Sequence, residues 1–149
     1  MAGQIRVVAA VIGHGDRLLM CQRPAHKRHG GLWEFPGGKC EPDESDAEAI
    51  RRELNEELGV TADSVGVSEF ETIDEGSPYL IVFIPVRIST EPAAIEHSAV
   101  AWFTAHELLH LPLAPSDRRY VQQRVKASQS TAEFASEPCG GFDSFNADP

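Results

Sequence analysis

The chain has 149 residues, 42% of them hydrophobic, enough to close the core of one domain. Its formal net charge of −10 excludes general binding to a nucleic-acid polymer, where a basic surface supplies most of the affinity. The three cysteines, Cys21, Cys40 and Cys139, form no C-x-x-C pair and no Cys/His cluster, which excludes a structural zinc site and a disulfide framework and suggests reduced thiols in a cytoplasmic protein.

Residues 5–12 and 17–22 read as two strands joined by a turn at Gly13-His14-Gly15-Asp16. The apolar run Val7–Ile12 is too short for a leader or a membrane span, so no membrane partner is expected and the run reads as a buried strand. A basic loop, 24–31, carries His26, Lys27, Arg28 and His29. Trp33-Glu34-Phe35 then alternates like a short strand before Pro36-Gly37-Gly38. Residues 46–58 make the strongest helix, with Ser45 and Glu48 spaced as a capping box and Gly59 as the stop. Strands are expected at 66–73, 79–88 and 99–103, a turn at Gly76-Ser77-Pro78, and helices at 104–110 and 116–127. From residue 128 the pattern fades; Glu133, Glu137, Asp143 and Asp148 appear with no Lys or Arg. That stretch reads as a disordered acidic tail after a domain covering 1–127. Strands and helices mix without regular alternation, so the expected fold class is α/β with a central mixed sheet.

On a wheel of ~100° per residue, Ala47, Ile50, Leu54 and Leu58 share one side of the 46–58 helix. Glu53, Glu56 and Glu57 gather beside them, at spacings where like charges repel by a few tenths of a kcal/mol per pair. Divalent cations reverse that sign, and three carboxylates make a hard-oxygen site suited to Mg²⁺ or Mn²⁺. Arg52 lies one turn before Glu56 and can pair with it. The plainer alternative is a solvated acidic face with an ordinary ion pair. Just upstream, Gly37-Gly38 form a turn where the backbone can approach a ligand closely.

Gly38, Glu44, Arg52-Glu53-Leu54, Glu56-Glu57 and Gly59-Val60 together resemble the Nudix box at each of its fixed positions. The resemblance implies an α/β/α sandwich whose loop–helix–loop motif binds Mg²⁺ and hydrolyses nucleoside diphosphates linked to another group. It implies that Gly37 offers a carbonyl to metal, and that Glu53, Glu56 and Glu57 are ligands or act on water. Gly38, Glu44 and Gly59 would support the motif, and Arg52 would orient a carboxylate. Leu32–Lys39, with Arg23 before Pro24, resembles the MutT branch, which cleanses nucleotide pools. There Glu96, six residues before Trp102, matches a further loop glutamate near the metal. The run GGKCEPDES ending at Ser45, with Leu111–Asp117, looks especially like the CTP pyrophosphohydrolases of that branch.

The implied reaction is attack of water on a β-phosphorus, releasing nucleoside monophosphate and pyrophosphate. Glu53, Glu57 and Glu96 are the candidate proton acceptors, with Glu96 favoured as a mobile loop residue that swings in. Arg23 is expected on the triphosphate, a structural salt bridge being the alternative; Lys39 is divided between phosphate contact and surface charge. An ionised Asp117 only accepts hydrogen bonds, which suits a base with N–H donors: cytosine, adenine or 8-oxoguanine. MutT places an amide there, and the alternative role of Asp117 is to cap the last helix with Ser116. Phe35 either walls the base or belongs to the core, while Trp33 and Trp102 read as packing residues. The expected partner is thus a small-molecule nucleoside triphosphate such as CTP, a modified cytidine triphosphate or 8-oxo-dGTP, with monomer and homodimer both open. Competing readings are a dinucleoside polyphosphate or nucleotide-sugar hydrolase and a non-catalytic nucleotide-sensing module.

Overall fold

The computed structural model describes residues 3–136, with side chains described as far as Gln129. In chain order the elements are β1 (Ile5–His14), β2 (Arg17–Gln22), β3 (Trp33–Glu34), β4 (Gly37–Lys39), α1 (Asp46–Leu58), β5 (Ala62–Val65), β6 (Phe70–Ile73), β7 (Tyr79–Ile88), β8 (Ala99–Thr104), α2 (Ala105–Leu108) and α3 (Pro115–Ser136). The layering follows from β1, in which every residue from Val8 to Ile12 is buried, so neither face meets water. Val8, Ala10 and Ile12 pack with Ala49, Ile50, Leu54 and Leu58 of α1. Ala9 and Val11 face the opposite core, with Phe83, Tyr120 and Val121. The two helices therefore cover opposite faces of the sheet, the α/β/α sandwich that the sequence implied.

β1 runs parallel to β7 from the Ile5/Tyr79 pair to Ile12/Val86, and antiparallel to β4 and β2 along its other edge. The strand order is β3-β2-β1-β7-β5, with β8 added on β2 and β6 on β7, which makes the sheet mixed. Several boundaries differ from expectation. The strand expected at 66–73 is regular only from Phe70; before it, Gly66 and Glu69 donate their N–H groups to Pro85 and Phe83 on β7. β4 and β5 are short and rich in glycine or polar residues, which carry little strand propensity, so pairing to β1 and β7 creates them. The 104–110 helix narrows to Ala105–Leu108, with a complete capping box between Thr104 and Glu107. α3 continues through 128–136, where a tail was expected; no Gly or Pro interrupts the chain there until Pro138. The rest of the expected tail, 137–149, lies outside the described residues. Among the described residues no helix is long and apolar enough to cross a membrane.

Candidate active site

Two adjacent glycines bring α1 to the sheet. At Gly37, φ is 154° and a Cβ would lie 1.9 Å from the Val8 carbonyl oxygen, so only glycine lets this strand close on β1. At Gly38 a Cβ would lie 2.5 Å from Glu53 Oε1; the missing side chain is the space that the carboxylate fills. The helix begins where the Ser45 hydroxyl accepts the Glu48 N–H at 3.1 Å, and it ends at Gly59 with φ 67°.

The acids of α1 fall into distinct environments. Glu57 lies seven residues after Ile50, on the apolar line rather than the expected adjacent arc, and is 7% exposed. Its Oε2 accepts the Gly37 N–H at 3.1 Å. Burial pushes the carboxyl up to about 9 despite that bond, and the charges of Glu53, Glu34 and Glu96 add to the rise. Burial also raises Glu53, against the pull of Arg52. Glu56 is half exposed, 3.5 Å from Arg52. The expected Arg52–Glu56 pairing is therefore secondary, because the Arg52 guanidinium is spent elsewhere. Its Nε and Nη2 each donate to Glu44 at 2.9 Å, Nη1 reaches Glu53 at 2.9 Å, and Nη2 also reaches the Lys39 carbonyl. The Arg52 hydrogen bonds, helped by the Glu41 N–H, hold Glu44 down at about 2. Glu44 is thus the brace that the motif implied.

Glu57, Gly37 and Glu96 line a cavity of about 100 Å³ together with Arg23, Lys27, Glu34 and His97. A larger hollow of about 390 Å³, between the β1–β2 turn and Arg124, contains none of the expected site residues. The smaller cavity is where the chemistry can be assembled. Arg23 is 30% exposed there, but it is in the salt bridge that stood as the alternative: Nη1 donates to Glu34 at 2.7 Å and Nε to the Arg28 carbonyl at 2.8 Å. Burial pushes Glu34 up, yet His97, 3.8 Å away, and the hydrogen bonds from Arg23 outweigh it and leave the carboxyl below its ordinary value. Glu96 is exposed, but its loop is not the free segment expected of a swinging base. Ala93 and Ile95 donate to the Leu58 and Glu57 carbonyls at the end of α1, and Ser98 donates to Gln22 at the end of β2. These bonds satisfy carbonyls that a helix end leaves orphaned, and they fasten the backbone on both sides of Glu96.

The start of α3 is clamped to the same region. Trp33 exchanges backbone hydrogen bonds with Pro112 and Ala114, and Asp117 Oδ1 accepts the Phe35 N–H at 3.0 Å. Burial lifts Asp117 to about 7 in spite of that bond. In this structure Asp117 braces the strand that leads into Gly37, a role neither base selection nor helix capping anticipated. Phe35 takes the core alternative: it is 3% exposed and meets Phe83 and Tyr120 edge-on at 5.8 and 5.2 Å. Lys39 is exposed, with Nζ 5.1 Å from the Tyr79 ring centroid. Cys21 is buried, which raises its thiol, so it carries no reactivity.

Among the described residues, no three His, Cys, Asp or Glu side chains converge closely enough as they stand to hold an ion. Glu53 is drawn to Arg52 and Glu57 to the Gly37 N–H. The donor set nevertheless fits a divalent cation: buried carboxylates that the neighbouring Arg52 leaves under-neutralised, beside a glycine turn with room for one of them. Glu34 and His97 were absent from the expected site. The available signal was an acidic residue inside an otherwise aromatic strand, Trp33-Glu34-Phe35, a charge that cannot be buried alone.

An α/β/α sandwich that buries carboxylates against a glycine turn, at a cavity also lined by arginine, has the donor set of an enzyme class that acts on phosphates with a divalent cation. The NUDIX domain model matches residues 3–124, and the chain belongs to the Nudix family, whose hydrolases generally use such a cation, usually Mg²⁺. It is 42% identical over 116 residues to the CTP pyrophosphohydrolase of Escherichia coli, covering 76% of this chain and 85% of that one. A Mycobacterium tuberculosis protein provisionally named 8-oxo-dGTP diphosphatase 2 is 32% identical, across 93% of this chain and 100% of the relative. The crystal structure of the MutT Nudix hydrolase from Burkholderia pseudomallei superposes with a TM-score of 0.71 at 28% identity, over 80% of this chain and 97% of that chain.

Proposed function

We propose that this enzyme is a nucleoside triphosphate pyrophosphohydrolase of the MutT type, cleaving CTP, modified cytidine triphosphates or 8-oxo-dGTP to monophosphate and pyrophosphate and so clearing nucleotide pools. The observation that carries the reading is Glu57, a buried carboxyl that no cationic side chain among the described residues contacts, at a cavity also lined by Arg23 and Lys27. The names of the two relatives support the substrate class. Glu53, Glu56, Glu57 and the Gly37 carbonyl would hold Mg²⁺ or Mn²⁺, which when bound neutralises phosphate oxygens and acidifies the attacking water.

The chain's own residues divide the remaining work. Arg23 and Lys27 face the polyphosphate, and Glu34 fixes the Arg23 fork in one orientation. Glu96, exposed at the rim, is the proton acceptor, and because its backbone is fastened, any approach to the water is a side-chain movement. Asp117 sets the base preference from the α3 side. With one oxygen committed to Phe35, it has a single oxygen left for an N–H donor on the base.

A substrate panel tests the proposal. Purified protein with Mg²⁺ is incubated with CTP, 5-methyl-dCTP, dATP, dGTP, 8-oxo-dGTP, ADP-ribose and a diadenosine polyphosphate. The expected outcome is pyrophosphate from triphosphates only, with cytidine and 8-oxoguanine nucleotides preferred. Turnover of ADP-ribose alone, or of nothing in the panel, overturns it.

A further inference from the structure

His97 is the residue of this cavity that the proposed chemistry does not use, and its placement is unusual. Its side chain is 7% exposed although Glu96 and Ser98 on either side are exposed. Nε2 lies 3.8 Å from Glu34 Oε2, while Nδ1 is buried with no hydrogen-bond partner among the described residues. Burying an unpaired nitrogen is unfavourable, and a leucine or phenylalanine could fill the space without it. An imidazole retained at that cost must act through its other nitrogen.

We propose that His97 is a positioning residue: through Glu34 it seats Arg23, and as the buried anchor of its loop it fixes Glu96 across the cavity. The proposal rests on the reading that this cavity takes a polyphosphate. Glu34 accepts from Arg23 Nη1 with both oxygens, Oε1 at 2.7 Å and Oε2 at 3.2 Å, and Oε2 is also the oxygen that faces His97 Nε2 at 3.8 Å. β3, which carries Glu34, is only two residues long, so its pairing with Gln22 and Cys21 leaves the side chain to be held by other means. The loop returns to the same place: Ser98 donates its N–H to the carbonyl of Gln22, the residue before Arg23. The result is a closed circuit of Arg23, Glu34, His97, Ser98 and Gln22, with Glu96 attached to it. Moving any one member changes the spacing between the cationic and the acidic wall.

The test compares His97→Leu, which keeps bulk, with His97→Gln, whose amide nitrogen can reach Glu34. With the full chain, Mg²⁺ and CTP, His97→Leu should lower kcat/KM by roughly tenfold to a hundredfold, with KM rising as Arg23 loses its seat and kcat falling as Glu96 drifts. His97→Gln should recover most of both, and adding Glu34→Gln to His97→Leu should cost little more. Wild-type kcat and KM in His97→Leu, no rescue by glutamine, or fully additive losses each overturn the proposal. Solvent exchange of the Arg23 Nη1 protons, which bond Glu34, and of the Ser98 amide, followed by NMR without nucleotide, gives a second readout independent of turnover. Both should lose protection in His97→Leu; unchanged protection overturns the proposal even if no triphosphate is a substrate. Should His97→Leu fail to fold, His97→Gln and His97→Asn replace it, the shorter amide falling short of Glu34 and behaving as the defective variant.

Discussion

The two sides of α1 hold acids in opposite electrostatic states. On the outer side Glu44 receives both arms of Arg52 and the Glu41 N–H, and its carboxyl sits at about 2. On the cavity side Glu57 has one backbone N–H and no cationic side chain among the described residues, and its carboxyl sits at about 9. Both glutamates belong to one motif, but burial dominates at Glu57 while the Arg52 hydrogen bonds dominate at Glu44. The inner acid is buried without compensation and the outer one is compensated. A protein that needed only to fold would have paired or replaced the inner acid, as it paired the outer one. An acid left buried and under-neutralised marks the place where a cation and its phosphates are expected.

Glu57→Gln is the largest test of that contrast. Glutamine keeps the size of the side chain and can still accept the Gly37 N–H, but it cannot carry the charge. Pyrophosphate release should fall by at least ~10²-fold. The thermal midpoint of the metal-free protein should hold or rise near neutral pH, because folding no longer has to keep a buried carboxyl protonated above its ordinary range. A variant that kept near-wild-type turnover would show that the inner acids do not serve the metal.

Gly38→Ala probes the same place from the backbone side. An added Cβ would meet the end of the Glu53 side chain, a flexible group, and no backbone atom is among its close neighbours. The protein should fold, with Glu53 displaced and the Mg²⁺ concentration for half-maximal activity raised roughly tenfold. Unchanged metal dependence would remove Glu53 from the ligand set.

The motif helix was legible because its information is local. Ser45, the Ile50–Leu54–Leu58 line and Gly59 specify the helix within their own neighbourhood, and the Nudix box marks which acids matter. What the motif could not show is partner choice between segments distant in sequence. Arg52 reaches back to Glu44 rather than on to Glu56 because a loop folds over the helix. Arg23 meets Glu34, and His97 meets it too, only once β2, β3 and the Glu96 loop are assembled. Phe35 is core rather than a ligand wall for the same reason: Phe83 and Tyr120, both remote in sequence, close around it.

Asp117 and Glu44 extend the comparison to pH, with opposite signs. Burial raises folded Asp117 from 3.8 to about 7, so between those values the folded chain binds a proton that the unfolded chain has released. Stability therefore falls as pH rises through that window, and Asp117→Asn, which can still accept the Phe35 N–H, should remove the slope. Glu44 is lowered from 4.5 to about 2, so its contribution is present above 4.5 and is lost as pH falls toward 2. Arg52→Met should remove that acid-side slope. Differences in thermal midpoint between each variant and wild type, taken across pH 2 to 8, isolate the two effects. Slopes of the same sign for both would contradict the pairing pattern.

Lys39 supplies the smallest effect and the finest discrimination. It shares β4 with Gly37 and Gly38, so the motif suggests a phosphate contact, yet its ammonium lies over the Tyr79 ring and it is not among the residues lining the cavity. An exposed cation over an aromatic face contributes about 0.5–1 kcal/mol, so Lys39→Ala should cost little stability and change KM for CTP by less than about twofold. Arg23→Ala, by contrast, should raise KM by tenfold or more if the proposed phosphate contact holds, since a guanidinium fork seated on Glu34 at the cavity has no substitute. If the two variants raise KM equally, then the lysine leaves Tyr79 when nucleotide arrives, and the cationic wall extends along β4 beyond the cavity seen without substrate.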